Sequence, residues 1–306
     1  MIRKILLGIG ATIVLLIAVV LITVNMRWDR QFDAPFPPLA ASTDSAVVAR
    51  GRYLAYGPAH CAACHAKPGD PAGVLSGGRA FVIPPGTIHV PNLTPDSVTG
   101  IGRFSDGAIA RMIRYGVRHD GRSAIPFMEF QAMSDGDIVA LISFLRSQPA
   151  VRNNVPDHDY TLLGKAVMSF AIKPIGPSAP PPVESPPPGP TVERGAYLVD
   201  AISNCAGCHT QRDMATGAYT GARLAGGTPM ETDGEKPIQL VPPNITADSN
   251  GRATLWTEDE FVARFRAGER IPGSPMPWVA FGRMSDDDLR AIYRYLRTMR
   301  SSAASE

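Results

Sequence analysis

Apolar residues divide the chain into one long uninterrupted run and a set of shorter, periodic ones. From Ile5 to Val24 there is no charge, and nearly every residue is Ile, Leu, Val, Ala or Gly. Beyond it, Ile138, Leu141, Ile142 and Leu145 fall on one face of a helix, and Leu289, Ile292, Tyr293 and Leu296 repeat the spacing. Ser134 with Asp137, and Ser285 with Asp288, predict a capping box at the start of each of these helices. A second helix pair is predicted at Ser105 to Tyr115 and Thr257 to Ala267. Thr257 and Glu260 cap the latter, and Gly116 and Gly268 stand where left-handed C-caps belong. The Gly- and Pro-rich stretches 66–103 and 210–255 lack periodicity and predict no regular structure.

These elements occur twice because the chain repeats itself. Arg50-Gly51-Arg52-Tyr53-Leu54 matches Arg194-Gly195-Ala196-Tyr197-Leu198 at an offset of 144. Pro91-Asn92-Leu93-Thr94 matches Pro243-Asn244-Ile245-Thr246 at 152, and Ile125 to Arg146 matches Met276 to Arg297 at 151 without a gap. So long a period is a duplicated domain and not a solenoid. The predicted organisation is an anchor at 1–28, a first copy at 44–150, a Pro-rich linker at 151–190 and a second copy at 191–301, mainly α throughout. Pro174 to Pro190 holds nine prolines in 17 residues, which predicts an extended, semi-rigid linker. A short amphipathic helix is expected between Tyr160 and Lys173.

Twenty apolar residues span a bilayer core of about 30 Å. The run is longer than the ~7–15 residues of a cleavable signal, and Thr23-Val24-Asn25-Met26 is not a small-x-small cleavage site. A retained anchor is therefore expected, with a removed signal as the alternative. Arg3 and Lys4 keep the amino end in the cytoplasm and Trp28 suits the interface, giving a single pass through the inner membrane with the remaining chain in the periplasm.

Composition narrows the chemistry. The 306 residues are 44% hydrophobic and 19% charged, as in a packed globular protein, and a net charge of +2 gives no case for nucleic-acid binding. All four cysteines lie in Cys61-Ala62-Ala63-Cys64-His65 and Cys205-Ala206-Gly207-Cys208-His209. Cys-x-x-Cys-His is the attachment signature of c-type haem: two thiols on one helical turn bond the vinyl groups and the adjacent His meets the iron. A zinc ribbon needs its two knuckles ~15–20 residues apart; here they are 144 apart. Two covalently bound haem c groups are expected.

The sixth ligand is normally Met or a second His. The second copy has no histidine after residue 191 except His209, so a methionine must serve. Met214 lies five residues beyond His209, too close to cross the ring; Met284 suits a hydrophobic staple before Ser285; Met299 lies past the apolar face. Met276, between Pro275 and Pro277, is the expected ligand. The first copy has Ile125 at that position. Met128, in the same loop, is the expected ligand there, with His119 or an open iron as the competing arrangements. Pro91 and Pro243 are candidates to accept a hydrogen bond from the proximal histidines. His60 is expected to be an exposed helix residue.

These motifs, with Pro91-Asn92-Leu93-Thr94-Pro95-Asp96, Met276-Pro277-Trp278 and Met-Ser-Asp-x-Asp before each last helix, resemble those of membrane-anchored cytochrome c subunits of bacterial alcohol, gluconate and aldehyde dehydrogenases. The resemblance covers about 44–150 and 191–300. It implies two tandem class I cytochrome c domains after the transmembrane helix, carrying electrons from a dehydrogenase subunit to an oxidase or the quinone pool. Those subunits commonly carry three haems and this chain has two motifs; Ile125 also replaces the usual Met. An electron carrier, not an enzyme, is therefore the leading expectation. A dihaem enzyme such as a peroxidase with an open first haem is the alternative, and a haem-based sensor a weaker one.

Overall fold

The computed structural model describes residues 1–213, 217–233 and 236–300; Met214 lies outside them. Helix α1 runs from Ile2–Arg27 and is exposed along almost its whole length until Val24, which is buried. Among the described residues it is the one helix long and apolar enough to cross a membrane. The first copy follows with α2 (Ser45–Tyr56), α3 (Cys61–His65), strands β1 (Ala80–Ile83) and β2 (Gly86–His89), α4 (Asp106–Tyr115) and α5 (Asp135–Ser147). Next come β3 (Asp159–Tyr160) and α6 (Leu162–Phe170). The second copy has α7 (Val192–Tyr197), continued by a π-turn over Leu198–Ile202, then α8 (Cys205–His209), β4 (Met230–Glu231), β5 (Gln239–Leu240), α9 (Glu258–Arg266), α10 (Trp278–Phe281) and α11 (Asp286–Thr298).

In each copy the first and last helices cross in close contact: α2 packs on α5, and α7 on α11. A glycine makes each crossing possible. A Cβ on Gly51 would lie 1.8 Å from the Ala140 carbonyl oxygen, and one on Gly195 2.0 Å from that of Ala291. The apolar faces predicted for α5 and α11 are the buried ones, and one continuous core runs through both copies, from Leu54 and Ile138 to Leu198 and Ile292. Thr257 and Glu260 form the expected capping box, and Gly116 and Gly268 take left-handed φ values of 63° and 67°.

Two expectations need correction. The stretch 66–103 holds a β-hairpin, β1 against β2, and β3 adds a third antiparallel strand from 70 residues downstream. The reversal is built from Pro84, Pro85 and Gly86, which mark a loop by composition and here make a tight turn. The stretch 210–255 likewise pairs β4 with β5. The segment 151–190 holds the short helix expected there, α6. Besides β3 and α6, its proline tract docks on the first copy, where Pro182 and Val183 carbonyls accept from Asp135 and Gly136, and on the second, where Pro186 accepts from Arg194.

The other correction concerns the caps of α5 and α11. Ser134 and Ser285 each accept from the backbone N–H three residues on, but the aspartates do not return to the cap. Each is engaged instead by an arginine of its own copy and a tyrosine of the other. Arg194 makes two bonds to Asp288, at 2.8 and 3.1 Å, while the Tyr53 hydroxyl donates to the same carboxylate at 2.6 Å. Arg50 makes two bonds of 2.9 Å to Asp137, and the Tyr197 hydroxyl donates to it at 2.8 Å. The same hydroxyls accept the cap N–H groups, Ser134 to Tyr197 at 3.0 Å and Ser285 to Tyr53 at 3.1 Å. The two copies thus clasp one another through one motif used twice.

Candidate functional site

Each Cys-x-x-Cys-His forms its own short helix, α3 or α8, entered through a left-handed residue: His60 at φ 41° and Asn204 at φ 48°. Asn and His tolerate that conformation better than most side chains. His60 is therefore no exposed helix residue. Its ring meets Phe281 of the second copy edge-on at 5.4 Å, and burial lowers its pKa. The thiols are free, three residues apart on one turn, and burial pushes Cys61 and Cys205 up to about 12.

The adjacent histidines are buried and oriented alike. His65 Nδ1 lies 3.0 Å from the Pro91 carbonyl oxygen and His209 Nδ1 2.8 Å from that of Pro243. A carbonyl only accepts, so Nδ1 carries the hydrogen and Nε2 presents a lone pair. Burial, opposed by this bond, lowers the His65 pKa to about 4 and moves His209 the same way, which keeps both rings neutral near pH 7. The Pro-Asn-(Leu/Ile)-Thr motif holds each carbonyl in place. Asn92 Oδ1 accepts from the Thr94 N–H and hydroxyl at 2.9 and 2.8 Å, and Asn244 from those of Thr246 at 2.8 and 2.7 Å. A neutral imidazole with a fixed tautomer, beside two unpaired thiols on one turn, suits a covalently bound haem.

The distal candidates occupy a matched pair of loops. The N–H after the proline bonds to the carbonyl before it in both: Phe127 to Ile125 and Trp278 to Met276, each 2.8 Å. Pro277 has φ −76° and ψ 62°, an inverse γ-turn. Met276 packs against the main core. Ile125 does not; it joins a separate cluster with Ile88, Tyr160 and Met168, while Met128 packs on the main core. His119 is exposed and stacks at 4.3 Å on Phe104, which packs on the main core. Met133 and Met284 are buried in the core beside Ile138 and Leu289, as staples should be. Met230 lies in β4.

Sequence reasoning missed the residues that join the two sites. Arg212, just after α8, pairs with Glu129, the neighbour of Met128, and Glu129 also accepts from Tyr219 at 2.8 Å. Arg79 bonds the Ala63 carbonyl in α3 and pairs with Asp233 of the second copy at 2.8 Å. Each attachment helix therefore lies beside residues of the other copy, α3 against α10 and the end of α8 against the Met128 loop. No repeat or motif in the sequence marks Arg79, Glu129, Arg212 or Asp233.

Residues 192–300 match the family model for Cytochrome c. The chain is 33% identical over 279 residues to the cytochrome c subunit of a quinone-dependent alcohol dehydrogenase from Gluconobacter oxydans, covering 85% of this chain and 56% of that one. It is 29% identical to the gluconate 2-dehydrogenase cytochrome c subunit of Pantoea cypripedii, covering 86% and 62%, and 28% identical to a diheme cytochrome c-type protein of Cereibacter sphaeroides, covering 78% and 81%. The chain thus spans about half the length of the alcohol dehydrogenase subunit. A largely helical chain with one apolar amino-terminal helix, it contains a cytochrome c domain at 192–300 and resembles the cytochrome c subunits of alcohol and gluconate dehydrogenases.

Proposed function

We propose that the chain is a dihaem c-type cytochrome, held by α1 in the inner membrane. It passes electrons on the periplasmic side from a dehydrogenase subunit toward an oxidase or the quinone pool. Cys61, Cys64 and His65 hold one haem c with Met128 as distal ligand; Cys205, Cys208 and His209 hold the other with Met276. Bound there, haem c supplies a one-electron Fe(II)/Fe(III) couple. The chain supplies rigidity and a dry wall. Pro91 and Pro243 fix the two imidazoles through Nδ1, and the γ-turns at Pro126 and Pro277 fix the distal loops. Ligands that do not move between oxidation states keep reorganisation small, which is what a carrier needs.

The observation that carries this reading is the repeated pairing of a Cys-x-x-Cys-His helix with a carbonyl-locked, buried histidine. Two tests apply. Pyridine haemochrome analysis should give two haem c per chain. In the oxidised protein, Met128→Ala and Met276→Ala should each remove one part of the long-wavelength Met-to-iron charge-transfer band, and the unsubstituted protein should not bind carbon monoxide readily. A full band in Met128→Ala refutes the first-copy ligand, and ready carbon monoxide binding refutes the carrier reading for one haem.

A further inference from the structure

We infer that α6 rests on the membrane surface as a second contact with the bilayer, beside the point where α1 leaves it. The inference rests on α1 being a retained anchor. Helix α6 has two unlike faces. Gly164, Met168 and Ser169 are buried against the Pro85 carbonyl and α1, whereas Leu162, Leu163 and Phe170 are 61%, 57% and 53% exposed. Leu163 and Phe170 are two turns apart, so they share a side of the helix. Exposed large apolar side chains gathered on one short helix need a partner other than water.

The depth of α6 identifies that partner as lipid. The Ser169 hydroxyl reaches the Val24 carbonyl oxygen at 3.3 Å, and Val24 is the last residue of the apolar run in α1. Helix α6 therefore sits level with the end of the apolar run. The surroundings have interfacial chemistry. The Lys165 ammonium lies 4.9 Å from the centre of the Trp28 ring, Trp28 meets Tyr160 edge-on at 6.0 Å, and Arg27 and Lys173 are exposed. No acidic residue occurs between Asp159 and Glu184. An apolar face rimmed by lysine and arginine is what an anionic lipid surface binds. The hairpin turn is tied to the start of α6, where Pro85 accepts from the Thr161 N–H at 3.1 Å. Two contacts fix the tilt of the haem-bearing copies relative to the bilayer, which a single helix does not.

The test uses the full holoprotein in vesicles of phosphatidylcholine and phosphatidylglycerol, at a ratio of about 3:1, doped with a phospholipid bearing an acyl-chain diazirine. After photolysis, labelled peptides are mapped by mass spectrometry. Label in α1 and in 162–170 is expected. In Leu163→Glu/Phe170→Glu, label in 162–170 should fall about tenfold while α1 label and the haem spectrum stay the same. Label in α1 but not in 162–170 overturns the inference and leaves the anchor reading intact. Absence of label from α1 overturns both. Self-association through α6, seen as cross-links between 162–170 of two copies of the chain with no lipid label, also overturns it.

Discussion

Removing the Tyr197 hydroxyl tests the clasp between the copies. In Tyr197→Phe, Asp137 loses the 2.8 Å bond but keeps both bonds from Arg50, so the carboxylate stays paired. The Ser134 N–H fares worse. Ser134 is fully buried, and its N–H bonds the tyrosine oxygen. A stranded buried donor costs about 1–3 kcal/mol, and a hydrogen bond to a charged group adds about 1.5–3 kcal/mol before relaxation. Together they suggest a loss of roughly 2–4 kcal/mol. Tyr53→Phe makes the same chemical change in a wetter place. Ser285 is exposed, so water takes over its N–H, and Asp288 keeps Arg194. The bond from Tyr53 to the Asp288 carboxylate is still lost, so a loss of about 1.5–2 kcal/mol follows.

For a chain of this size 1 kcal/mol moves Tm by about 2–4 °C. Far-ultraviolet circular dichroism melts of the holoprotein should therefore show Tyr197→Phe lower by roughly 5–12 °C and Tyr53→Phe by roughly 3–8 °C. Because both hydroxyls act through one docked interface, the double variant should fall short of the sum. Equal shifts, or a larger one for Tyr53→Phe, would falsify the assignment of the cost to the stranded Ser134 donor.

Other outcomes follow from single contacts. Gly195→Ala drives a methyl into the Ala291 carbonyl at 2.0 Å and should cost roughly 3 kcal/mol or more, seen as a lower melt and a poor yield of holoprotein, whereas Ala196→Ser next to it should be benign. His158, largely buried and facing Arg118, has its pKa lowered to about 4, first by burial and then by that arginine. Its ring accepts from the His89 N–H at 3.3 Å. The unfolded chain binds its proton near pH 6.5 and the folded chain does not, so stability should hold above that pH and decline as pH falls toward 4. Amide exchange in β2 and β3 should report the decline, and His158→Gln should flatten it. Glu129→Gln weakens the pair with Arg212 and should disturb the Met128 part of the charge-transfer band without touching the Met276 part.

The proximal half of each site was legible because its chemistry is local. Five consecutive residues carry the thiols and the imidazole, and a conserved offset in the repeat pointed to Pro91 and Pro243. The apolar run and the last helix of each copy were legible for the same reason, since a period of 3.6 needs only neighbours in sequence. What failed was long-range. Strand β3 pairs with β2 from 70 residues away, and nothing in Asp159-Tyr160 shows a partner. The clasp failed differently. Within a duplication, Tyr53 bound to the first copy's aspartate and Tyr53 bound to the second copy's leave identical sequences. Only the packing of the copies distinguishes them.

The same clasp explains how two sites whose attachment motifs differ only at Ala63 and Gly207 come to differ at their distal loops. Its two halves are chemically alike, so asymmetry must enter at the loops they bring together. The Met276 loop is braced largely from within its own copy: Ser274 bonds Glu269 at 3.1 Å, the Trp278 indole N–H reaches the Ser274 hydroxyl at 3.3 Å, and Arg264 lies over the Trp278 ring at 3.8 Å. The Met128 loop has no such set. Its Glu129 is held by Arg212 and Tyr219, both from the second copy, and its Ile125 has left for the cluster beneath α6. The first loop therefore depends on docking with the second copy on one side and on the region around the anchor on the other. A perturbation of either contact reaches the first site before the second. If α6 rests on lipid, the membrane and the second copy both bear on Met128, whereas Met276 stays insulated by its own tryptophan.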